Sequence, residues 1–202
     1  CGDCGIVSNC VAIVPKHTAF GRKRAIDQAS CNKDYSCVDG FCPSFVTVEG
    51  ATLRKPDPIA PDQQEALPEP PLPELEKPYT VMMSGIGGTG VVTVGHLLAM
   101  AAHLDGRGVS VLDVAGLAQK NGAVFTHLSI ARSPDQLRAT RIGPGQADLL
   151  LGFDMVASAS ADTLSCLGPS VSNAVVNTHQ TMTADFTQNP DLTFPVAQLT
   201  VL

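Results

Sequence analysis

The run YTVMMSGIGGTGVVTVGHLLAM, residues 79–100, decides the fold of the larger part of this chain. It opens with a short β-rich stretch, Tyr79–Ser84, and passes into six residues, Gly85–Gly90, of which four are glycine. A nearly all-apolar stretch, Val91–Leu104, follows at once. Glycines permit a tight turn and bring the backbone close to a pyrophosphate, whose charge is favoured at a helix N-terminus. The run therefore predicts a strand, a glycine loop and a helix.

Apolar strands and helices alternate after this run. The pattern predicts further strands at 109–114, 124–130, 147–152 and 173–177, a helix start at Ser133-Pro134-Asp135, and a helix over 154–167 that Gly168-Pro169 ends. Alternating strands and helices are typical of a parallel sheet with right-handed crossovers. The predicted fold class is α/β, with a Rossmann-like parallel sheet over residues 79–202.

The glycines also match a nucleotide-binding pattern. Gly85, Gly87 and Gly90 satisfy G-x-G-x-x-G, and Asp113 ends the next predicted strand, 23 residues after Gly90. This context alone favours NAD or FAD, because an acidic residue at that place binds the ribose. The alternative is a tight βα turn that needs glycine only for close packing. Both interpretations stay open at this point.

Cysteines dominate the N-terminal part of the chain. Six of the seven lie in the first 42 residues: Cys1, Cys4, Cys10, Cys31, Cys37 and Cys42. Their second group reads C-x5-C-x4-C-P, whereas a bacterial ferredoxin run reads C-x2-C-x2-C-x3-C-P. Asp34 stands where the second cysteine of that run would be, and is either a carboxylate ligand or a polar bystander. We expect iron–sulfur clusters here, with a zinc site and disulfides as alternatives.

The cysteine spacing divides the candidate ligands into two sets, if the halves interleave as in ferredoxins. One cluster would then be held by Cys1, Cys4 and Cys42 with a cysteine from outside this sequence. The other would be held by Cys10, Cys31 and Cys37 with Asp34 or an outside ligand.

Composition changes mark three regions. Residues 1–50 form the predicted ferredoxin-like iron–sulfur module, and residues 51–78, with eight prolines, form a semi-rigid linker. Residues 79–202 form the α/β domain, which we expect to be incomplete at its C-terminus. The basic run Phe20–Arg24 is either a solvated turn or a docking patch for an acidic electron carrier.

Bulk properties exclude two classes of partner. The net charge of −6 argues against nucleic acid as the main partner. No apolar run reaches the roughly 18 residues that a membrane span needs. The sequence starts at Cys1 without a targeting segment, so we expect a cytoplasmic protein of which this chain is a piece.

Five stretches of the chain together resemble a known family. They are GIGGTGVVTVG (85–95), DVAGLAQKNGAV (113–124), CGDCGIVSNC (1–10), FGRKRAIDQASCNKDYSCVDGFCPSF (20–45) and NAVVNTHQTMTADF (173–186). They resemble the gamma domain and cysteine module of 2-oxoacid:acceptor oxidoreductases, in the branch of the large, fused indolepyruvate ferredoxin oxidoreductases.

The resemblance implies an enzyme that decarboxylates an aryl 2-oxoacid on thiamine diphosphate and Mg, passes electrons through clusters of the 4Fe-4S type to ferredoxin, and forms an acyl-CoA. The chain lacks a Gly-Asp-Gly thiamine signature, so the decarboxylating site would lie on other domains of a homo-oligomeric enzyme. The implied cofactor-binding residues of the glycine loop, Gly85, Gly87, Gly88, Thr89 and Gly90, either bind a phosphate-bearing group or support the interface with the thiamine domains. Gln119, Lys120 and Asn121 are implied to border the active site, with Lys120 either a contact to a phosphate or carboxylate or a surface charge.

Two other functions remain as alternatives. The first is an NAD(P)- or FAD-linked iron–sulfur oxidoreductase subunit, and the second is a zinc-stapled interaction module without enzymatic activity. Isolated residues fit structural roles better: we expect His96 and His103 to serve packing or to lie on the surface, His127 to lie in the core or a loop, and Cys166 to be buried.

Overall fold

A computed structural model describes residues 3–8, 10, 12–28, 30–39, 49–52, 68–69, 71–72, 74–116, 122–182, 186, 189, 191–194 and 196–199. Among these residues, no helix is long and apolar enough to cross a membrane. Cys1, Cys42 and the segment Gln119–Asn121 lie outside the described residues, as does most of the predicted linker.

The described elements are the following. The helices are α1 (Asp3–Ser8), α2 (Val91–Leu104), α3 (Met155–Ser158), α4 (Ala161–Cys166) and α5 (Val196–Leu199). The strands are β1 (Ile13–Thr18), β2 (Gly21–Ile26), β3 (Tyr79–Ile86), β4 (Gly108–Ala115), β5 (Ala123–Ala131), β6 (Leu149–Gly152) and β7 (Asn173–Val176). Two 3-10 turns cover Ser36–Asp39 and Pro134–Gln136.

The main sheet has five strands in the order β4-β5-β3-β6-β7. Its β3, β6 and β7 are parallel, but β5 lies between β3 and β4 and is antiparallel to both. The prediction of a parallel sheet is therefore wrong for one strand, β5, whose two pairings are both antiparallel. The reason is the connection from β4 to β5, residues 116–122, because a parallel crossover needs a dozen or more residues. So short a connection forces a hairpin.

Two other predicted elements differ in extent. The predicted helix over 154–167 is divided into α3 and α4, because the Ser160 side chain accepts a hydrogen bond from Thr163 N and starts a new helix. The predicted helix start at Ser133 gives only the 3-10 turn Pro134–Gln136. The strand at 79–86 and the helix Val91–Leu104 lie where the sequence predicts them.

Two apolar layers lie on opposite faces of the sheet, since β3 is buried on both sides. Helix α2 covers one face, where Val81, Met83 and Leu128 form a core with Val91 of the helix. The other face packs under α3 and α4 and carries a second core: Met82, Phe125, Ile142, Ala147, Leu150 and Cys166. Cys166 is buried as expected.

The N-terminal part is built around a two-stranded hairpin, which the sequence analysis did not predict. Strands β1 and β2 pair antiparallel from Ile13–Ile26 at the base to Thr18–Gly21 at the tip. Helix α1 packs against the 3-10 turn Ser36–Asp39. The described residues here are not shown to form a ferredoxin-like module, and the proposed domain boundaries remain predictions.

Candidate functional site

The glycine loop, Gly85–Gly90, connects the carboxyl end of β3 to the N-terminus of α2. Gly88 and Gly90 have φ of 92° and 89°, in the left-handed region that favours glycine. Gly90 is the N-cap residue, and the helix start has no side-chain cap hydrogen bond. The first-turn N–H groups of α2 therefore receive no hydrogen bond from an N-cap side chain, and such groups at a helix N-terminus can bind an anion.

Other residues of the loop have packing roles. A Cβ on Gly85 would lie 2.6 Å from Val91 Cγ2 and 2.9 Å from Phe153 Cβ, so only glycine fits there. The Thr89 hydroxyl donates to the Ile86 carbonyl over 2.7 Å and braces the turn. The loop thus combines a packed side at Gly85, as the structural interpretation predicts, with an exposed side at Gly87 and Gly88.

The glycine loop is hydrogen-bonded to the connection between β4 and β5. Gly87 N donates to the Gly122 carbonyl over 2.9 Å, and Gly116 N donates to the Ala123 carbonyl over 3.3 Å. The Gly122 end of the connection is therefore fixed to the glycine loop, and the Gly116 end is paired with Ala123 at the start of β5. The role of Gln119, Lys120 and Asn121 themselves stays a prediction.

Both carboxylate oxygens of Asp113 accept hydrogen bonds from side chains of the protein itself. His96 Nε2 donates to Asp113 Oδ2 over 2.7 Å, and Thr126 Oγ1 donates to Asp113 Oδ1 over 2.6 Å. Because β5 lies between β4 and β3, Asp113 is two strand spacings, about 10 Å, from the strand that leads into the glycine loop. This geometry does not support the dinucleotide alternative.

The hydrogen bond between His96 and Asp113 was not predicted from the sequence. His96 lies on the exposed side of α2, with 61% of its side chain accessible, as the surface interpretation expected. Its partner on β4 is 17 residues away, and neither helical nor strand periodicity signals such a contact. This hydrogen bond joins α2 to the edge strand of the sheet.

The second candidate region is the cysteine corner, which we define as Cys10, Cys31, Asp34 and Cys37. Ile13 N donates to the Cys10 carbonyl over 3.3 Å at the start of β1, and Cys31 follows β2 by five residues. The hairpin therefore brings both to its open end. Cys37 lies on the 3-10 turn Ser36–Asp39.

The charges in this corner repel one another. Burial raises the pKa of the Cys37 thiol, and charges on Cys10, Cys31 and Asp34 raise it further, against a backbone hydrogen bond that lowers it. Groups whose charges raise the pKa of Cys37 in this way lie within electrostatic reach of it. Three thiols and a carboxylate are donors that suit a cationic metal centre, which would relieve the repulsion.

Asp34 has a structural task in the corner. Its Oδ1 accepts from Ser36 N over 3.2 Å, and its Oδ2 accepts from Asn32 Nδ2 over 3.1 Å. The carboxylate thereby holds the turn that carries Cys37. The residues on either side, Lys33 and Tyr35, have φ of 59° and 58°, a conformation that non-glycine residues rarely adopt.

The remaining predicted ligands are Cys4, on the helix that packs against the turn carrying Cys37, and Cys1 and Cys42, which lie outside the described residues. Cys4 is buried in α1. Burial and the charge of Arg22 lower the pKa of Arg24, and the charge of Cys4 offsets this lowering only in part. Cys10, Cys31, Cys37 and Cys166 are free thiols. Within the described part of the chain, no three His, Cys, Asp or Glu side chains converge closely enough to hold a metal ion. With Cys1 and Cys42 outside that part, the ligand sets stay predictions.

Comparison with known proteins identifies the larger domain. The family model described as pyruvate ferredoxin/flavodoxin oxidoreductase matches residues 80–187, more than half of the chain. The chain belongs to this family. The recognition made from the glycine loop and the segment after Asp113 is thereby confirmed.

Individual relatives of this oxidoreductase chain carry related names. Indolepyruvate oxidoreductase subunit IorB of Pyrococcus horikoshii is 34% identical over 80 residues, covering 40% of this chain and 38% of the relative. The IorB subunit of Thermococcus kodakarensis is 32% identical over 80 residues, with the same coverage of 40% and 38%. The chain thus spans less than two fifths of the length of these relatives.

Solved structures of oxidoreductase subunits are also similar. Pyruvate oxidoreductase subunit PORC of Thermotoga maritima matches with a TM-score of 0.38 and 17% identity over 56% of each chain. The gamma subunit of a keto/oxoacid ferredoxin oxidoreductase of Geobacter sulfurreducens matches with a TM-score of 0.33 and 24% identity, over 48% of this chain and 60% of that chain.

Proposed function

We propose that this chain is the gamma-domain and electron-transferring part of a 2-oxoacid:ferredoxin oxidoreductase that acts on an aryl 2-oxoacid of the indolepyruvate type. The observation that carries the proposal is the family match over residues 80–187, next to an N-terminal segment in which Cys10 and Cys31 lie within electrostatic reach of Cys37. The relatives named as indolepyruvate oxidoreductase subunits support the choice of substrate class.

The proposed reaction is an oxidative decarboxylation. The bond between the carboxylate and the oxo carbon breaks, carbon dioxide leaves, and the acyl group is transferred to the coenzyme A thiol. The electron pair left by the broken bond reduces the clusters one electron at a time, and ferredoxin accepts the electrons. Thiamine diphosphate with Mg, on domains outside this chain, supplies the electron sink for the decarboxylation.

The N-terminal residues are proposed to hold two clusters of the 4Fe-4S type. Cys10, Cys31 and Cys37 with Asp34 or an outside residue would hold one, and Cys1, Cys4 and Cys42 with an outside cysteine the other. Thiolate ligands of this kind are typical of electron-transfer clusters. Residues 1–50 would then be a module joined by the linker 51–78 to the domain 79–202.

The glycine loop is proposed to receive a phosphate group of coenzyme A. The first-turn N–H groups of α2 supply donors, and the helix dipole favours the negative charge. Gln119, Lys120 and Asn121, which are followed by Gly122 with its carbonyl hydrogen-bonded to the loop, would complete this site beside the thiamine domains. The enzyme would work in the cytoplasm.

The proposed activity is tested on the complete enzyme that contains this chain, purified anaerobically. We expect reduction of ferredoxin that requires indolepyruvate and coenzyme A, slower turnover of pyruvate and 2-oxoglutarate, and iron with acid-labile sulfide. Finding zinc without iron in the purified enzyme, or reduction of NAD in place of ferredoxin, would contradict the proposal.

Asp34 can be tested separately as a ligand. Asp34→Asn keeps an oxygen for the Ser36 hydrogen bond but removes the charge, whereas Asp34→Cys supplies a thiolate. If Asp34 binds iron, both substitutions change the electron paramagnetic resonance spectrum and the reduction potential of one cluster. If its task is only the turn, Asp34→Asn leaves both unchanged.

A further inference from the structure

The hairpin of β1 and β2 concentrates positive charge in a negative molecule. Four basic side chains lie within nine residues: Lys16, Arg22, Lys23 and Arg24. No Asp or Glu occurs anywhere in residues 4–26. Since the whole chain has a formal net charge of −6 and the hairpin carries four positive charges, the remainder of the chain sums to −10.

The two faces of the hairpin have different tasks. Arg22 and Arg24 lie over the ring of Phe186, with their guanidinium carbons 5.4 and 4.7 Å from its centroid. Side chains alternate along a strand, so Lys23 points to the opposite face together with its cross-strand partner Lys16. Both lysines are exposed. One face therefore attaches the hairpin to the C-terminal segment, and the other faces solvent.

Lys16 and Lys23 are directly opposite each other in the antiparallel register. A like-charge pair at such a position destabilises a hairpin. In the part of the chain that the structure describes, neither ammonium group has a carboxylate within ion-pair distance. The repulsion between the two lysines lowers the stability of the hairpin. A negatively charged partner would attract both ammonium groups and offset this repulsion.

An exposed aromatic side chain lies at the tip of the same hairpin. Phe20 is 88% exposed. The two-residue turn is held without its ring, because Thr18 Oγ1 donates to the Gly21 carbonyl over 2.8 Å and accepts from Phe20 N over 3.2 Å. Aromatic anchors rimmed by polar or charged groups are typical of protein–protein interfaces.

We propose that the outer face of this hairpin, formed by Lys16, Phe20 and Lys23, is the docking surface for a small acidic electron-carrier protein. The inference rests on the proposed function and adds the place where electrons leave the enzyme. The base of the hairpin carries Cys10 and Cys31, and the lysine pair lies three residue pairs, about 10 Å, from that base. A carrier on this face lies beside the proposed clusters.

Charge attraction makes the proposal measurable. Complementary charges raise association rates by about 10- to 1,000-fold, and the gain falls steeply with ionic strength. The negative remainder of the chain repels an acidic carrier elsewhere and so directs it to the hairpin. The same net charge disfavours nucleic acid, the other polyanion that a basic hairpin attracts.

The test uses the complete enzyme with ferredoxin as the acidic carrier and a viologen dye as an acceptor that needs no docking. We expect Lys16→Gln/Lys23→Gln to raise the KM for ferredoxin roughly tenfold at low salt and to flatten its salt dependence. Phe20→Ala should raise the KM by a smaller factor. Dye reduction should stay within about twofold of the unmodified enzyme, which also shows that the variants are folded.

The matched control is Arg132→Gln/Arg138→Gln, which removes two exposed charges near the 3-10 turn of the sheet domain. It should leave the KM for ferredoxin unchanged. An unchanged KM and salt dependence in the lysine variant, or an equal loss in the control, overturns the docking surface. The docking surface is also overturned if the unmodified enzyme binds a duplex oligonucleotide tightly and the lysine variant reduces ferredoxin with unaltered kinetics. An unmodified enzyme that reduces neither acceptor with any 2-oxoacid overturns the proposed function itself, and this inference with it.

Discussion

Gly85 and Gly87 lie two residues apart in the glycine loop but have different surroundings. We expect Gly85→Ala to cost about 1–3 kcal/mol of unfolding free energy, since its methyl group would press on Val91 Cγ2 at 2.6 Å. Gly87→Ala is the matched control, because the nearest atom, the Gly122 carbonyl oxygen, is 3.9 Å away. Denaturant unfolding of both variants checks this, and equal costs would contradict the packing role of Gly85.

The lowered pKa of His127 should make the stability of the protein depend on pH. His127 is 2% exposed and accepts a hydrogen bond from Ile142 N on Nδ1. Burial and the charge of Arg141 lower its pKa below the ordinary histidine value of about 6.5. As the pH falls below about 6.5, the unfolded chain binds the proton first, so stability decreases towards the lower folded pKa, by at most about 1.4 kcal/mol per pH unit.

The measurement for His127 is thermal unfolding between neutral and mildly acidic pH. His127→Asn keeps an acceptor but does not titrate, so the loss of stability attributable to this residue should vanish. His103→Asn, at an exposed position of α2, is the control and should retain the full pH dependence. If both variants behave like the unmodified chain, His127 does not control this slope.

At the scale of elements, the contact between α2 and β5 depends on Gly95. Replacing a mid-helix glycine by alanine ordinarily stabilises a helix by about 1 kcal/mol. Here the added Cβ would lie 2.7 Å from Thr126 Cγ2, so we expect Gly95→Ala to destabilise the protein instead. The helix would move off the sheet at the point where His96 reaches Asp113.

A second substitution makes this prediction specific. Thr126→Ser removes the crowding methyl group and keeps the hydroxyl that donates to Asp113 Oδ1. In a double-mutant cycle, Gly95→Ala/Thr126→Ser should therefore be more stable than the sum of the two single changes predicts. Additive effects would show that the helix does not need this close approach.

The sequence predicted single elements better than their directions. Strand β3 and helix α2 were predicted from apolar runs and glycines, which act locally. The antiparallel β5 was missed because alternation alone does not give direction, although the short 116–122 connection contains that information. The β1–β2 hairpin was missed because its turn, Ala19-Phe20, lacks the Asn-Gly or Asp-Gly signal and its strands carry basic residues on both faces.

At the scale of the whole molecule, Phe186 joins the hairpin to the C-terminal segment. It is 2% exposed beneath Arg22 and Arg24, and Arg22 also donates to the Leu192 carbonyl. We expect Phe186→Ala to cost about 3 kcal/mol and to speed amide hydrogen exchange in β1 and β2 more than in β3. Phe20→Ala, at the exposed tip, is the control and should change neither quantity.

The family could be recognised from sequence because its glycine loop and the segment after Asp113 are each a short, contiguous run of residues. The candidate site could be predicted only in part, since its members meet through tertiary contacts. Strand pairing places Cys10 and Cys31 at the open end of the hairpin, and hydrogen bonds of Asp34 hold the turn that carries Cys37. The spacing of cysteines in the sequence predicts neither of these contacts.

Lys33 and Tyr35 give the cysteine corner an order of assembly. A left-handed non-glycine residue costs roughly 1–2 kcal/mol, so the loop between Cys31 and Cys37 does not close by itself in a nascent chain. The hairpin, whose pairing is local, forms early, and the loop should close last, once its ends are held. Maturation of this protein would then be timed by a loop of seven residues, and pulse-labelling hydrogen exchange during refolding should find protection of residues 31–37 appearing after that of 13–26.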